Sequence, residues 1–171
     1  MPRQKQGMPV ILIFIAVLQA ACLLESMRYF SPETLHAGSS KSLAEQLPDS
    51  TTVILDPGSS LAFGREWGSA GYSEVWLKGG GFFNATRRVD TAGLTIHLPQ
   101  FDVVAYRGTV YCSNRKGVQY AWLKEGRASV VTNESKQKTL PLVPGILIEY
   151  TDKRLISRPA PAEPPATSPA D

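Results

Sequence analysis

Between Asp49 and Leu155 the chain is built from short runs of branched and aromatic residues, each closed by a turn former. The runs are Thr52–Leu55, Ser60–Phe63, Ser73–Leu77, Leu94–Leu98, Asp102–Tyr106, Val118–Leu123, Arg127–Thr132 and Ile146–Tyr150. Between them stand Asp56-Pro57-Gly58, Gly79-Gly80-Gly81, Asn114, Gly117, Glu125-Gly126 and Pro144-Gly145. Branched and aromatic side chains suit a pleated surface, and Gly, Pro, Asn and Asp supply the dihedrals that reverse a chain. Alternation points the same way: Leu94, Ile96 and Leu98 share one face, with Thr95 and His97 on the other. Likewise Ala128, Val130 and Thr132 alternate with Arg127 and Ser129. No stretch here keeps a helical period for three turns, so the expected fold is all-β. It is a single antiparallel or solenoid-like domain over 49–155, without a strict internal repeat.

The flanks have other compositions. Pro9–Leu24 carries no charge, and Gln19 is its one strongly polar residue. As a helix, sixteen residues at about 1.5 Å each cover about 24 Å. A bilayer core is about 30 Å thick, so residues 9–27 make the fuller candidate for a transmembrane helix. Arg3, Lys5 and the α-amino group precede the run, while Arg28 is offset by Glu25. The positive-inside rule then leaves residues 1–8 in the cytoplasm and exports the chain beyond the apolar run. Three fates fit the segment: a retained anchor, a cleaved export signal, or a lipoprotein signal. For the third, Leu18-Gln19-Ala20-Ala21-Cys22 sets small residues before a thiol and makes Cys22 the candidate lipidation site.

Residues 28–48 are polar and read as a linker. Residues 156–171 form a tail: Arg158–Asp171 holds five prolines in 14 residues and no large apolar side chain. Such a composition predicts disorder.

The chemistry-bearing residues form no recognisable catalytic set. Eighteen Lys and Arg against 15 Asp and Glu give a net charge of +3, too mild to imply nucleic acid. Two Cys exclude a disulfide scaffold or a four-thiolate zinc site, and Cys112 reads as a small buried hydrophobe. His36 and His97 have no partners at metal-ligand spacing. His97 and Asp102 could pair, but no Gly-x-Ser-x-Gly elbow accompanies them. Glu66, Glu74, Asp90 and Asp102 are acids without a defined cleft. No Gly-Lys-Ser or Gly-Lys-Thr follows the glycines at 79–81, which read as a bend at a sheet corner and not as a phosphate cradle. Trp67, Tyr72, Trp76, Tyr106, Tyr120 and Trp122 offer core and cross-strand pairs, or a sugar-stacking platform. Arg65, Lys78, Arg87 and Arg88 read as a solvated basic cluster. Neither catalytic residue, metal site nor cofactor is expected, and the chain reads as a non-enzyme.

Several phrases taken together resemble the periplasmic domain of the FecR family of transmembrane signalling proteins. Leu55-Asp56-Pro57-Gly58-Ser59-Ser60-Leu61-Ala62-Phe63 looks like its opening strand-turn-strand. Glu74-Val75-Trp76-Leu77-Lys78-Gly79-Gly80-Gly81-Phe82-Phe83-Asn84-Ala85 is similar to its strand followed by Gly-Glu-Ala-Phe-Phe, with Gly80 and Gly81 in place of Glu and Ala. Thr95-Ile96-His97 and Phe101-Asp102-Val103-Val104 fit the next strands. Gly108-Thr109-Val110-Tyr111-Cys112-Ser113 stands where Gly-Thr-x-Phe-Asn-Val is usual. Leu123-Lys124-Glu125-Gly126-Arg127-Ala128-Ser129-Val130 and Leu142-Val143-Pro144-Gly145 resemble the closing phrases. The resemblance implies a β domain held at the inner membrane by one helix, N-terminus in the cytoplasm. In the periplasm it would signal by contact with a protein partner, as a divergent or split regulator of an extracytoplasmic-function sigma factor. Full-length members add a cytoplasmic sigma-binding part and often a C-terminal module, neither of which matches residues 1–8 or the proline-rich tail. The alternative is a lipid-anchored or secreted β domain that binds carbohydrate or envelope components.

Overall fold

A computed structural model describes residues 33–64, 73–86, 93–133, 137–151 and 154–161, all within one compact unit, Glu33–Asp171. The hydrophobic run, Cys22, Arg65, Glu66, Trp67, Tyr72, Arg87, Arg88 and Asp90 lie outside the described residues. The structure is all-β, and no helix occurs among the described residues. Among the described residues eleven strands form one open sheet: β1 (Glu33–His36), β2 (Leu43–Gln46), β3 (Thr52–Leu55), β4 (Ser60–Phe63), β5 (Ser73–Ala85), β6 (Leu94–His97), β7 (Phe101–Arg115), β8 (Val118–Thr132), β9 (Thr139–Leu142), β10 (Ile146–Thr151) and β11 (Arg154–Pro159). The main path runs β1-β4-β5-β6-β7-β8-β10-β11, with β2 and β3 attached through β5, and β9 attached to β8.

Three long strands organise the sheet by changing neighbours part-way along. The first half of β5 lies between β4 and the parallel strand β6; its second half lies between β3 and β7. β7 pairs with β6 and then β5 along one edge, and with β8 along the whole of the other. β8 meets β10 along its first half and β9 along its second. The pairing of β7 with β8 slips at Ala105/Arg107 and at Thr109/Val110, on either side of the facing pair Gly108 and Gly126. Both glycines have positive φ (102° and 103°), and a Cβ on either would strike the carbonyl of Glu125 or Arg107 on the facing strand. Only glycine lets two backbones cross this closely, and the paired bulges supply the bend.

The alternating side chains of these strands meet in one core. Val53, Leu55, Leu61, Val75, Phe83, Ile96, Phe101, Val103, Val110, Cys112, Leu123, Val130 and Ile148 belong to a single buried cluster. Since that cluster draws from β3 through β10, the sheet is folded on itself around it. Each fully buried large side chain there contributes about 1.5–3 kcal/mol.

The sheet reaches beyond residues 49–155. β1 and β2 lie in the stretch read as a linker, and β11 carries most of its length into the stretch read as a disordered tail. These strands are short, polar and mostly exposed; each is held by ladder hydrogen bonds to a formed neighbour and by a single partly buried leucine, Leu35, Leu43 or Leu155, packed against the core. The three glycines at 79–81 lie inside the continuous strand β5, where it changes neighbours with Gly79 at a φ of 99°, and their bare backbone is where neighbouring groups press in.

Candidate functional site

Those neighbouring groups come from β3, from Tyr111 on β7 and from the Asp56–Ser59 turn that joins β3 to β4. Asp56 N donates to Gly80 O and Gly80 N donates to Ser59 Oγ, each at 2.9 Å. Tyr111 Oη donates to Asp56 Oδ2 at 2.5 Å, and Arg115 Nη2 donates to Pro57 O at 2.7 Å and Ser59 Oγ at 2.9 Å. A Cβ on Gly80 would lie 2.5 Å from Asp56 Oδ2 and 2.6 Å from Tyr111 Oη. Burial, seconded by the Asp56 hydrogen bond, pushes the Tyr111 phenol well above its usual range. The turn, β5 and β7 are thus locked by one polar clamp. It explains why the Asp-Pro-Gly-Ser, Gly-Gly-Gly and Tyr-Cys-Ser phrases occur together: they touch.

A second group lies on the outer side of the sheet, where β5, β6 and β7 run side by side. Register places Trp76 opposite His97, and His97 opposite Asp102. The His97 ring stacks on the Trp76 indole, with centroids 4.9 Å apart and planes 22° from parallel. Its Nδ1 donates to Asp102 Oδ1 at 2.9 Å, and its Nε2 sits 3.8 Å from Glu74 Oε2. An acyl-transfer triad requires a hydroxyl at Nε2; here a second carboxylate stands there. The group therefore presents an exposed indole (49% accessible) rimmed by two carboxylates and an oriented imidazole.

The structure sorts the other expected residues. His97 and Asp102 do meet, and Glu74 joins them; His36 is on the exposed edge strand β1. No group of three His, Cys, Asp or Glu side chains suited to a metal ion occurs among the described residues. Cys112 is buried in the core, and burial pushes its thiol far above the ordinary value. Of the aromatics, Tyr106 packs under the Arg127 guanidinium at 4.7 Å. Tyr120 and Trp122 are 9% and 8% exposed, which removes them from any open sugar-stacking platform. Lys78 is exposed.

The free edges lie on strands that the sequence does not announce. Among the described residues β1, β2, β9 and β11 each have a single partner strand. On β11, Ala160 N donates to Gly145 O at 2.7 Å, so even-numbered residues from 154 to 158 turn their backbone groups toward β10. Leu155 and Ser157 then turn theirs outward, and Pro159 stands where its absent N–H would face the open edge. Exposed Ile156 lies on the same strand.

No family model matches the chain, and no curated protein matches it significantly. Two crystal structures share its fold, each of a candidate anti-sigma factor from Parabacteroides distasonis. One, at 2.50 Å resolution, superposes with a TM-score of 0.67 at 19% identity, covering 75% of this chain and 60% of that one. The other, at 1.65 Å, has a TM-score of 0.66 at 18% identity, covering 74% and 59%. At such identities the likeness is one of fold, and the chain spans about 60% of the length of those neighbours.

Proposed function

We propose that the chain is a non-enzymatic, FecR-like β domain, tethered to the inner membrane and facing the periplasm, that regulates an extracytoplasmic-function sigma factor through protein contacts. The observation that carries this reading is the fold shared over three quarters of the chain with candidate anti-sigma factors. The ordered FecR-like phrases support it, since the clamp and the Gly108–Gly126 crossing give them a common structural purpose. Recognition proceeds by strand addition at the free edge of β11, with main-chain hydrogen bonds giving affinity and neighbouring side chains giving selectivity. The tether is the apolar segment 9–27, held as a helix or replaced by a lipid on Cys22. Reporter fusions after residues 7 and 160 test the topology. Alkaline phosphatase should be active only at the second point, and a cytoplasmic signal from residue 160 would overturn the reading. Labelled-lipid incorporation that vanishes in Cys22→Ser would assign the tether to the lipid.

A further inference from the structure

The sheet carries a second apolar cluster on the face turned away from the core. Phe82, Tyr111, Trp122 and Leu147 lie in one row across β5, β7, β8 and β10, with Tyr120 beside them. Phe82 meets Tyr111 edge-on at 4.7 Å and Trp122 at 6.3 Å, and Tyr111 stacks with Tyr120 at 5.8 Å. An outward face of a sheet is ordinarily wet, yet Tyr111 is 1% and Trp122 8% exposed. One residue packed on the cluster, Ala160, lies beyond the strands altogether, at the point where the chain leaves β11. Its backbone is pinned to Gly145, and the space where a Gly145 side chain would stand is open.

The sequence that continues from Ala160 is Pro161-Ala162-Glu163-Pro164-Pro165. Proline-rich chain favours the polyproline II helix, with three residues per turn and about 3.1 Å of rise per residue. Pro161 and Pro164 then fall on one side, and the five steps from Ala160 to Pro165 reach about 15 Å. Three strand spacings of about 4.8 Å, from β10 across β8 and β7 to β5, make about 14 Å. The span of the tail therefore matches the width of the aromatic row. Tyr and Trp rings are the surfaces on which proline rings pack, and such a segment loses little entropy on docking because it is already extended.

We propose that this aromatic row is a binding surface for a proline-rich segment, and that its occupant is the chain's own residues 160–165. The stretch beyond β11 is then a strap across the outer face of the sheet. Two full-length single-tryptophan proteins test this in detergent: one keeps Trp122 (Trp67→Phe, Trp76→Phe) and one keeps Trp76 (Trp67→Phe, Trp122→Phe). With the tail intact, Trp122 should resist acrylamide quenching, and dilution should leave that resistance unchanged because the occupant belongs to the same molecule. Deleting residues 160–171 should remove the protection, so that Trp122 is quenched as readily as exposed Trp76. A second variant keeps chain length and β11: Pro161→Gly, Pro164→Gly and Pro165→Gly together should also lose the protection, with the far-ultraviolet spectrum unchanged. Protection that survives the three glycine substitutions would overturn the proposal. So would protection that falls away on dilution of the intact chain, which would make a second copy the occupant.

Discussion

At the scale of single residues, two glycines and two titrating groups carry the most testable content. Gly108→Val should destabilise the domain by at least about 3 kcal/mol, because the new side chain meets the backbone of Glu125 at a φ of 102°. Gly145→Ala should cost only about 1 kcal/mol, since φ is 80° but the space is open. Urea denaturation midpoints of the two variants check the contrast. The buried thiol of Cys112 and phenol of Tyr111 both hold their protons above their ordinary values of 9.0 and 10.0. In the unfolded chain each ionises first, so the folded state binds more protons at high pH. Stability they support is full below pH 9.0 and declines as pH rises, first through Cys112 and above 10.0 through Tyr111 as well. Each contributes a slope of about 1.4 kcal/mol per pH unit. The parent chain should therefore lose stability between pH 9 and 10 faster than Cys112→Ala does, as read from denaturation midpoints across that range. Tyr111→Phe should cost about 1–3 kcal/mol at neutral pH, since partly buried Asp56 loses its hydroxyl partner; thermal melting measures it.

At the scale of elements, what the sequence made legible was whatever a strand says about itself. β3 and β4 have the bounds that their apolar runs predict, and β6 and β10 differ from theirs by one residue. Two predicted runs fused into β8, because the Glu125-Gly126 turn signal serves a bulge crossing and not a chain reversal. β1, β2, β9 and β11 carry too little apolar pattern to announce themselves and depend on the neighbour that each one pairs with. The same limit applied to the outer cluster. The link between His97 and Asp102 spans one hairpin and was visible as a pairing of residue types, whereas Glu74 and Trp76 reach His97 through the parallel β5–β6 pairing, which no local signal encodes. The phase of β11 gives its own prediction. Ser157→Pro should be tolerated, with a loss below about 1 kcal/mol, because its N–H points outward. Ile156→Pro should cost about 3 kcal/mol, or release the strand, because its N–H belongs to the ladder with β10. Amide hydrogen exchange along β10 distinguishes the two.

At the scale of the whole molecule, one open sheet closes over its own core and still leaves edge strands unpaired. Natural sheets cover such edges or use them, and here Arg154, Arg158 and Pro159 guard β11 against indiscriminate pairing without blocking Leu155 and Ser157. In the proposed function this edge holds a partner in register. The clamp at Asp56, the glycine crossing and the stacked Trp76–His97 pair all make it stiff, which lowers the entropy lost when a partner docks. Regulation through the β11 edge is tested by transcript profiling of the native cell while the full chain is overproduced, compared with overproduction of the Ser157→Pro variant at equal membrane abundance. The targets of one extracytoplasmic-function sigma factor should change together with the parent chain and change much less with the variant, whose open edge lacks the outward N–H. An unchanged transcript profile with the folded parent chain in the membrane would contradict that role.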